Sequence, residues 1–128
     1  MTPPVKTEVS EMGMLPRLKV LHYLFSLNKR NRYVAHCLNF DIVATAENME
    51  EAERRLDALV RSHVESYLNS NGLSGLSGPA PSSYFDIYTK SLRHGGALPS
   101  TTLRIHIPEV IPMELPYGEL DVVSAKAA

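Results

Sequence analysis

The sequence predicts an α+β domain. The expected architecture is an antiparallel sheet of three to four strands with one long helix packed across it, in the order β-β-β-α-(α)-β. Three observations carry that prediction. Apolar residues alternate with a period of two over residues 19–27 and 33–38. They then recur at steps of three and four behind an Asn cap, from Met49 to Leu68. Alternation returns over residues 101–107. A sheet whose apolar face is closed by one amphipathic helix satisfies this order.

The elements follow one by one. In the first strand Leu21, Tyr23, Phe25 and Leu27 line one face. Val20, His22, Leu24 and Ser26 line the other, which is mixed rather than polar and is expected to meet a further surface such as a second subunit. Asn28-Lys29-Arg30-Asn31-Arg32 reads as a turn, because Asn tolerates left-handed backbone geometry and the cations favour water. A second strand covers residues 33–38. Pairing Leu27 with Tyr33 sets Phe25 opposite Ala35 and Tyr23 opposite Cys37, large against small. Asn39-Phe40-Asp41 makes a short turn, and residues 42–46 form a third strand.

Asn48, followed three residues later by Glu51, is a capping-box pattern. Met49, Ala52, Leu56, Leu59, Val60, Val64, Tyr67 and Leu68 form the apolar stripe of the helix. Glu50, Glu53, Arg54, Asp57, Arg61 and Glu65 take its outer face, with Glu50–Arg54 and Asp57–Arg61 at favourable i,i+4 spacing. The helix is expected to stop near Asn71-Gly72, where glycine accepts the left-handed conformation. Residues 70–82 are a Gly/Ser/Pro linker. Tyr84, Phe85, Ile87, Tyr88 and Leu92 then follow helical spacing, with Ser82 or Ser83 as the cap and a stop at Gly95-Gly96. Pro108 ends the strand over residues 101–107. Pro108, Pro112 and Pro116 predict an extended tail, and residues 119–124 a short edge strand. The expected organisation is a flexible tail over 1–16, one domain over 17–107, and a Pro-rich extension over 108–128.

The chain has 128 residues, enough for one domain. Thirteen Lys and Arg stand against fourteen Asp and Glu, leaving a net charge of −1, so the composition carries no basic nucleic-acid footprint. Cys37 is the single cysteine, which excludes an internal disulfide and a multi-cysteine zinc site. No apolar run approaches the roughly 18–20 residues of a membrane span, and the first residues carry no apolar signal stretch. A cytoplasmic protein without membrane contact is the expectation.

Tyr33-Val-Ala-His-Cys-Leu-Asn-Phe-Asp-Ile-Val-Ala-Thr-Ala-Glu-Asn-Met-Glu-Glu-Ala52 resembles the HicB-like antitoxin superfamily. Ala46-Glu47-Asn48-Met49-Glu50-Glu51-Ala52 stands where that family starts its helix, although Ala46 replaces the family's glycine. The resemblance covers about residues 18–70. It implies a β-β-β-α-β unit described as a partial ribonuclease-H-like fold, and a homo-oligomer, dimer or higher. It also implies a small basic toxin as partner, whose messenger-RNA cleavage is blocked by occlusion. Many members also repress their own operon through a C-terminal DNA-binding segment. Residues 83–128 show no such module.

The side chains that could carry chemistry have structural explanations, in keeping with a non-enzymatic protein. Asp41, Glu47, Glu50 and Glu51 are the candidates for the metal-holding carboxylates of ribonuclease-H-like enzymes. The turn accounts for Asp41, and the positive end of the helix dipole for Glu50 and Glu51. Cys37, in mid-strand, reads as a small buried filler rather than a nucleophile. No cofactor and no metal is expected. In the register above, His22 and His36 share a sheet face and lie diagonally across the hairpin. Together with Asn39, Phe40 and Asp41 they form the candidate partner-binding set. The alternatives are a nucleic-acid-binding regulator, using Lys29, Arg30 and Arg32 at the hairpin tip with Tyr33 as a stacking ring, or a solitary oligomeric scaffold.

Overall fold

The computed structural model describes residues 20–70, 72–106 and 119–127. The elements are β1 (Val20–Leu27), β2 (Tyr33–Cys37), β3 (Ile42–Ala46), α1 (Met49–Asn69), α2 (Ser82–Arg93), β4 (Thr101–Arg104) and β5 (Glu119–Lys126). The expected tail over 1–16, the first strand residue Lys19, Asn71, Ile107 and the proline-punctuated segment 108–118 lie outside the described residues.

The fold is α+β, as expected, but the sheet is mixed and has five strands, in the order β3-β2-β1-β5-β4. β1 and β2 pair antiparallel with Leu27 opposite Tyr33, Phe25 opposite Ala35 and Tyr23 opposite Cys37, which is the expected register. Asn31 closes this hairpin at φ 61°, the left-handed geometry that Asn tolerates. Asp41, at φ 55°, does the same in the next turn.

The main correction concerns the C-terminal strand. β5 is not a short edge strand. It is eight residues long and lies between β1 and β4, parallel to β1 and antiparallel to β4. The sequence inside it explains this. Leu120 and Val122 enter the main core, whereas Ala125 enters a second core on the opposite face, so the strand is buried from both sides. All three prolines lie before it and remove none of its donors.

A second correction follows from that second core. α1 packs on one sheet face, where Leu56, Val60 and Val64 meet Leu21, Tyr23, Phe25 and Val122, all 2% exposed or less. Fully burying one such side chain stabilises the fold by roughly 1.5–3 kcal/mol. The mixed face of β1, expected to meet a further surface, is covered by the chain's own α2. Tyr88, Phe85 and Leu92 cover Leu24, Leu38 and Ala125 there. The sheet is therefore sandwiched between two helices.

The helices and β4 follow the expected pattern except at three points. Asn48 caps α1, accepting from the Glu51 backbone N–H at 2.8 Å, and the helix ends at Asn69 with Gly72 at φ 88°, both as expected. However, Arg54 and Arg55 both turn to Glu51, so Glu50–Arg54 is not the pair that forms. α2 takes Pro81 as its N-cap, with Ser82 already helical and no side-chain cap bond, because the fixed φ of proline sets the helix entry. β4 stops at Arg104, yet Ile105 remains in the main core.

Candidate functional site

The turn between β2 and β3 gathers four of the five residues expected to contact a partner, and each makes a specific bond or ring contact. The Asn39 side chain accepts from the His22 backbone N–H at 2.8 Å and donates to the Val20 carbonyl at 3.3 Å, stitching the turn to β1. His36 Nε2 lies 2.7 Å from Asp41 Oδ1. The His36 side chain is 8% exposed, while that of Asp41 is 48% exposed, so the pair presents its carboxylate to solvent. The fifth residue, Phe40, points inward. It is buried in the main core with its ring 5.2 Å from that of His63.

His22 and His36 share a face, as the register requires, and α2 lies over both. Tyr84 and Tyr88, one helical turn apart, meet them edge to face: His36–Tyr84 at 4.8 Å and His22–Tyr88 at 5.3 Å between ring centroids. The two histidines thus form part of the seat of α2. Their contacts with α2 were not visible in the sequence, because helix and strands are far apart along the chain.

Beside the turn runs the open edge of the sheet. β3 is the terminal strand, and Val43 stays 47% exposed beyond the reach of α2. On the other face Leu59 of α1 is exposed to the same extent, and with Ile42, Ser62, His63 and Ser66 it lines a shallow cavity of about 380 Å³. Leu59 reads as core from its spacing, but it lies at the margin of the buried stripe of Ala52, Leu56, Val60 and Val64. The Thr45 carbonyl accepts from Arg55 Nη1 at 2.8 Å and so faces away from β2. By the alternation of an antiparallel ladder, the Val43 N–H and carbonyl face outward too. Asp41 and Glu47, both exposed, bracket this edge.

Elsewhere the reactive side chains are engaged in packing. Burial pushes the Cys37 thiol up to about 11, leaving too little thiolate for nucleophilic work at neutral pH. Tyr23 is fully buried and donates from its hydroxyl to Asp57 Oδ1 at 2.8 Å. Burial raises the Asp57 carboxyl above the ordinary range, against the lowering pull of the Tyr23 bond and of Arg61. Burial also raises Glu53, with Asp57 and Glu50 adding repulsion. Asp57, Arg61 and Glu65 do not all face water, as the helix pattern suggested. Arg61 Nε donates to the Arg104 carbonyl at 2.9 Å, and Glu65 accepts from the His106 backbone at 2.7 Å, so this flank of α1 anchors β4 and the residues after it. Among the described residues no group of three or more His, Cys, Asp or Glu is arranged to hold a metal ion.

At the hairpin tip the Asn28 side chain accepts from the backbone N–H groups of Arg30 and Arg32 at 2.8 and 3.0 Å. Lys29 and Arg30 are exposed. Tyr33 packs against the main core, with the Lys126 ammonium 5.8 Å from its ring centroid. One face of the ring is therefore occupied by a cation rather than open to a base. No family model matches the chain, and no curated protein and no solved structure is significantly similar to it. Among the described residues no helix is long and apolar enough to cross a membrane.

Proposed function

We propose that this chain is a non-enzymatic protein-binding domain of the HicB-like kind, whose partner surface is the β3 edge and the turn before it. One observation carries the reading. The sheet ends in a strand with outward-facing backbone groups, flanked by exposed Val43 and Leu59 and bracketed by the carboxylates of Asp41 and Glu47. Such an edge accepts a strand from another chain through main-chain bonds, and apolar side chains on its two faces give that contact its grip. The bracketing negative charge favours a basic partner and disfavours an acidic one.

The resemblance of residues 18–70 to HicB-like antitoxins supplies the identity of that partner: a small basic toxin that cleaves messenger RNA in the cytoplasm and is silenced by occlusion. The buried positions of Cys37 and Tyr23 suit a scaffold that presents a surface. On the same reading the chain forms a homo-oligomer.

The test is capture from native lysate with the tagged protein, washed in low and high salt, beside a Val43→Lys variant. A small basic protein held through high salt by the parent and lost by the variant, together with RNA cleavage blocked by the parent, is the expected result. Equal retention by both proteins would overturn the assignment of the edge. Capture of nucleic acid alone would overturn the antitoxin reading.

A further inference from the structure

The near-neutral composition conceals an uneven distribution of charge. Four of the described cations are occupied: Arg54 and Arg55 by Glu51, Arg104 by Glu119, and Arg61 by a backbone carbonyl. Among the described residues, Lys29, Arg30, Arg32, Lys90, Arg93 and Lys126 have no carboxylate within ion-pair reach. All six lie at one end of the molecule. The first three form the β1–β2 hairpin tip, Lys90 and Arg93 sit in the last turn of α2, and Lys126 ends β5. The topology brings these together, because β5 runs parallel to β1 and finishes beside it, with Phe25 opposite Lys126.

Between them opens a cleft of about 670 Å³. Its lining includes Leu27, Ile87, Leu98 and Ala127, together with Lys90 of α2, His94 just after that helix, and Lys126. Leu27 is 51% and Ile87 42% exposed, and no described carboxylate lines the cleft. The volume falls within the range of about 300–1,000 Å³ typical of ligand sites. A partly aliphatic cleft that Lys90 and Lys126 line, at the end of the molecule that also carries Lys29, Arg30, Arg32 and Arg93, is complementary to an apolar group flanked by negative charge.

We infer that this cleft is a second docking surface, separate from the β3 edge, and that its occupant is an acidic peptide segment with an apolar anchor residue. Peptide suits the walls better than nucleic acid does. Single-stranded nucleic acid is held largely by stacking on aromatic rings, and the His94 imidazole is the one ring among the lining residues of the cleft, beside five aliphatic side chains. The nearest ring of the tip, Tyr33, packs into the core beneath Lys126. The aliphatic walls seat the anchor residue, and Lys90, Arg30 and Arg32 attract its acidic neighbours. Because the β3 edge is bracketed by carboxylates, the two surfaces select partners of opposite charge.

The experiment is a titration of the ¹⁵N-labelled full chain with the blocked peptide Glu-Glu-Leu-Phe-Glu-Glu, followed by amide shifts. Control titrations use Glu-Glu-Ser-Ser-Glu-Glu, Lys-Lys-Leu-Phe-Lys-Lys and an eight-nucleotide oligouridylate. Saturable shifts at Ser26, Leu27, Gly95 and Gly96 are expected for the first peptide. Binding should be at least tenfold weaker for each control. The exposed double variant Arg30→Glu/Lys90→Glu should lose binding at least tenfold while melting like the parent. Absence of saturable shifts at these amides would overturn the proposal, as would equal binding of the Ser-substituted peptide. Tighter binding of the oligouridylate would reassign the end to nucleic acid. The β3 edge is untouched by these variants, so none of these outcomes bears on the partner surface assigned there.

Discussion

Gly96→Ala tests the junction that places β5 inside the sheet. Gly96 lies where the end of α2 meets the end of β5. Its N–H donates to the Ser91 carbonyl at 2.7 Å, and its carbonyl accepts from the Lys126 N–H at 2.7 Å. A Cβ added here would stand 2.4 Å from the Lys126 carbonyl oxygen and 2.8 Å from that of Ser91. Both obstacles are backbone, so neither side can swing away. Relief requires separating α2 from β5. Overpacking of this kind costs about 1–3 kcal/mol, and straining two backbone hydrogen bonds adds about 0.5–1.5 kcal/mol for each. We expect a loss of roughly 2–6 kcal/mol, a large share of the 5–15 kcal/mol typical of a domain. The neighbouring Gly95→Ala is the internal control. Gly95 has φ 84° but open space around its Cβ position, so it should lose only the left-handed penalty of about 1–2 kcal/mol. Urea unfolding of the parent and both variants measures the difference. If Gly96→Ala costs no more than Gly95→Ala, then α2 and β5 do not meet as described, and the cleft they build is lost with them.

Other expectations follow from the buried polar groups. Asp57 has a folded-state carboxyl raised above its unfolded value, so the folded chain holds the proton more tightly and its stability falls as pH rises through that range. Asp57→Asn keeps an acceptor for the Tyr23 hydroxyl and should flatten that decline in pH-dependent melting, whereas Tyr23→Phe should destabilise by about 1 kcal/mol. His63 is lowered by burial, and its Nε2 accepts from the Ser77 N–H at 3.0 Å, so protonation removes the acceptor. Stability should therefore drop as pH falls below about 6.5, and His63→Gln should lessen that drop. Cys37 should resist a thiol reagent in the native protein at pH 8 and react fully in urea; equal rates in the two would contradict its burial.

What the sequence made legible is what neighbours along the chain decide. The β1–β2 register, the limits of β3, the Asn48 cap and the stop at Gly72 each depend on a few adjacent residues, and the structure has them as read. The place of β5 depends on a pairing of Val20 with Asp121, across a separation that leaves no local periodic trace. The prolines before it suggested an edge, but they constrain only the residues they occupy. The candidate site shows the same division. His22 and His36 share a face, as alternation demands, yet the Tyr84 and Tyr88 rings that meet them come from a helix joined by the Gly/Ser/Pro linker. Phe40 looked like an exposed turn residue, and only the packing of the turn against α1 shows that it faces inward.

Net charge says little about partners when a fold can segregate its charges. Here the acidic residues of α1 and the β3 edge are spent on helix termini, Arg partners and the bracketed strand, while six cations collect where three chain segments converge. The segregation depends directly on β5. Placed at an edge, it would carry Lys126 and the α2 junction away from the hairpin tip, and neither the cleft nor the cationic cluster would form. The parallel pairing of β5 with β1 is therefore the structural feature on which the second docking surface rests. Moving or loosening β5 should weaken acidic-peptide binding while leaving the β3 edge competent for a basic partner.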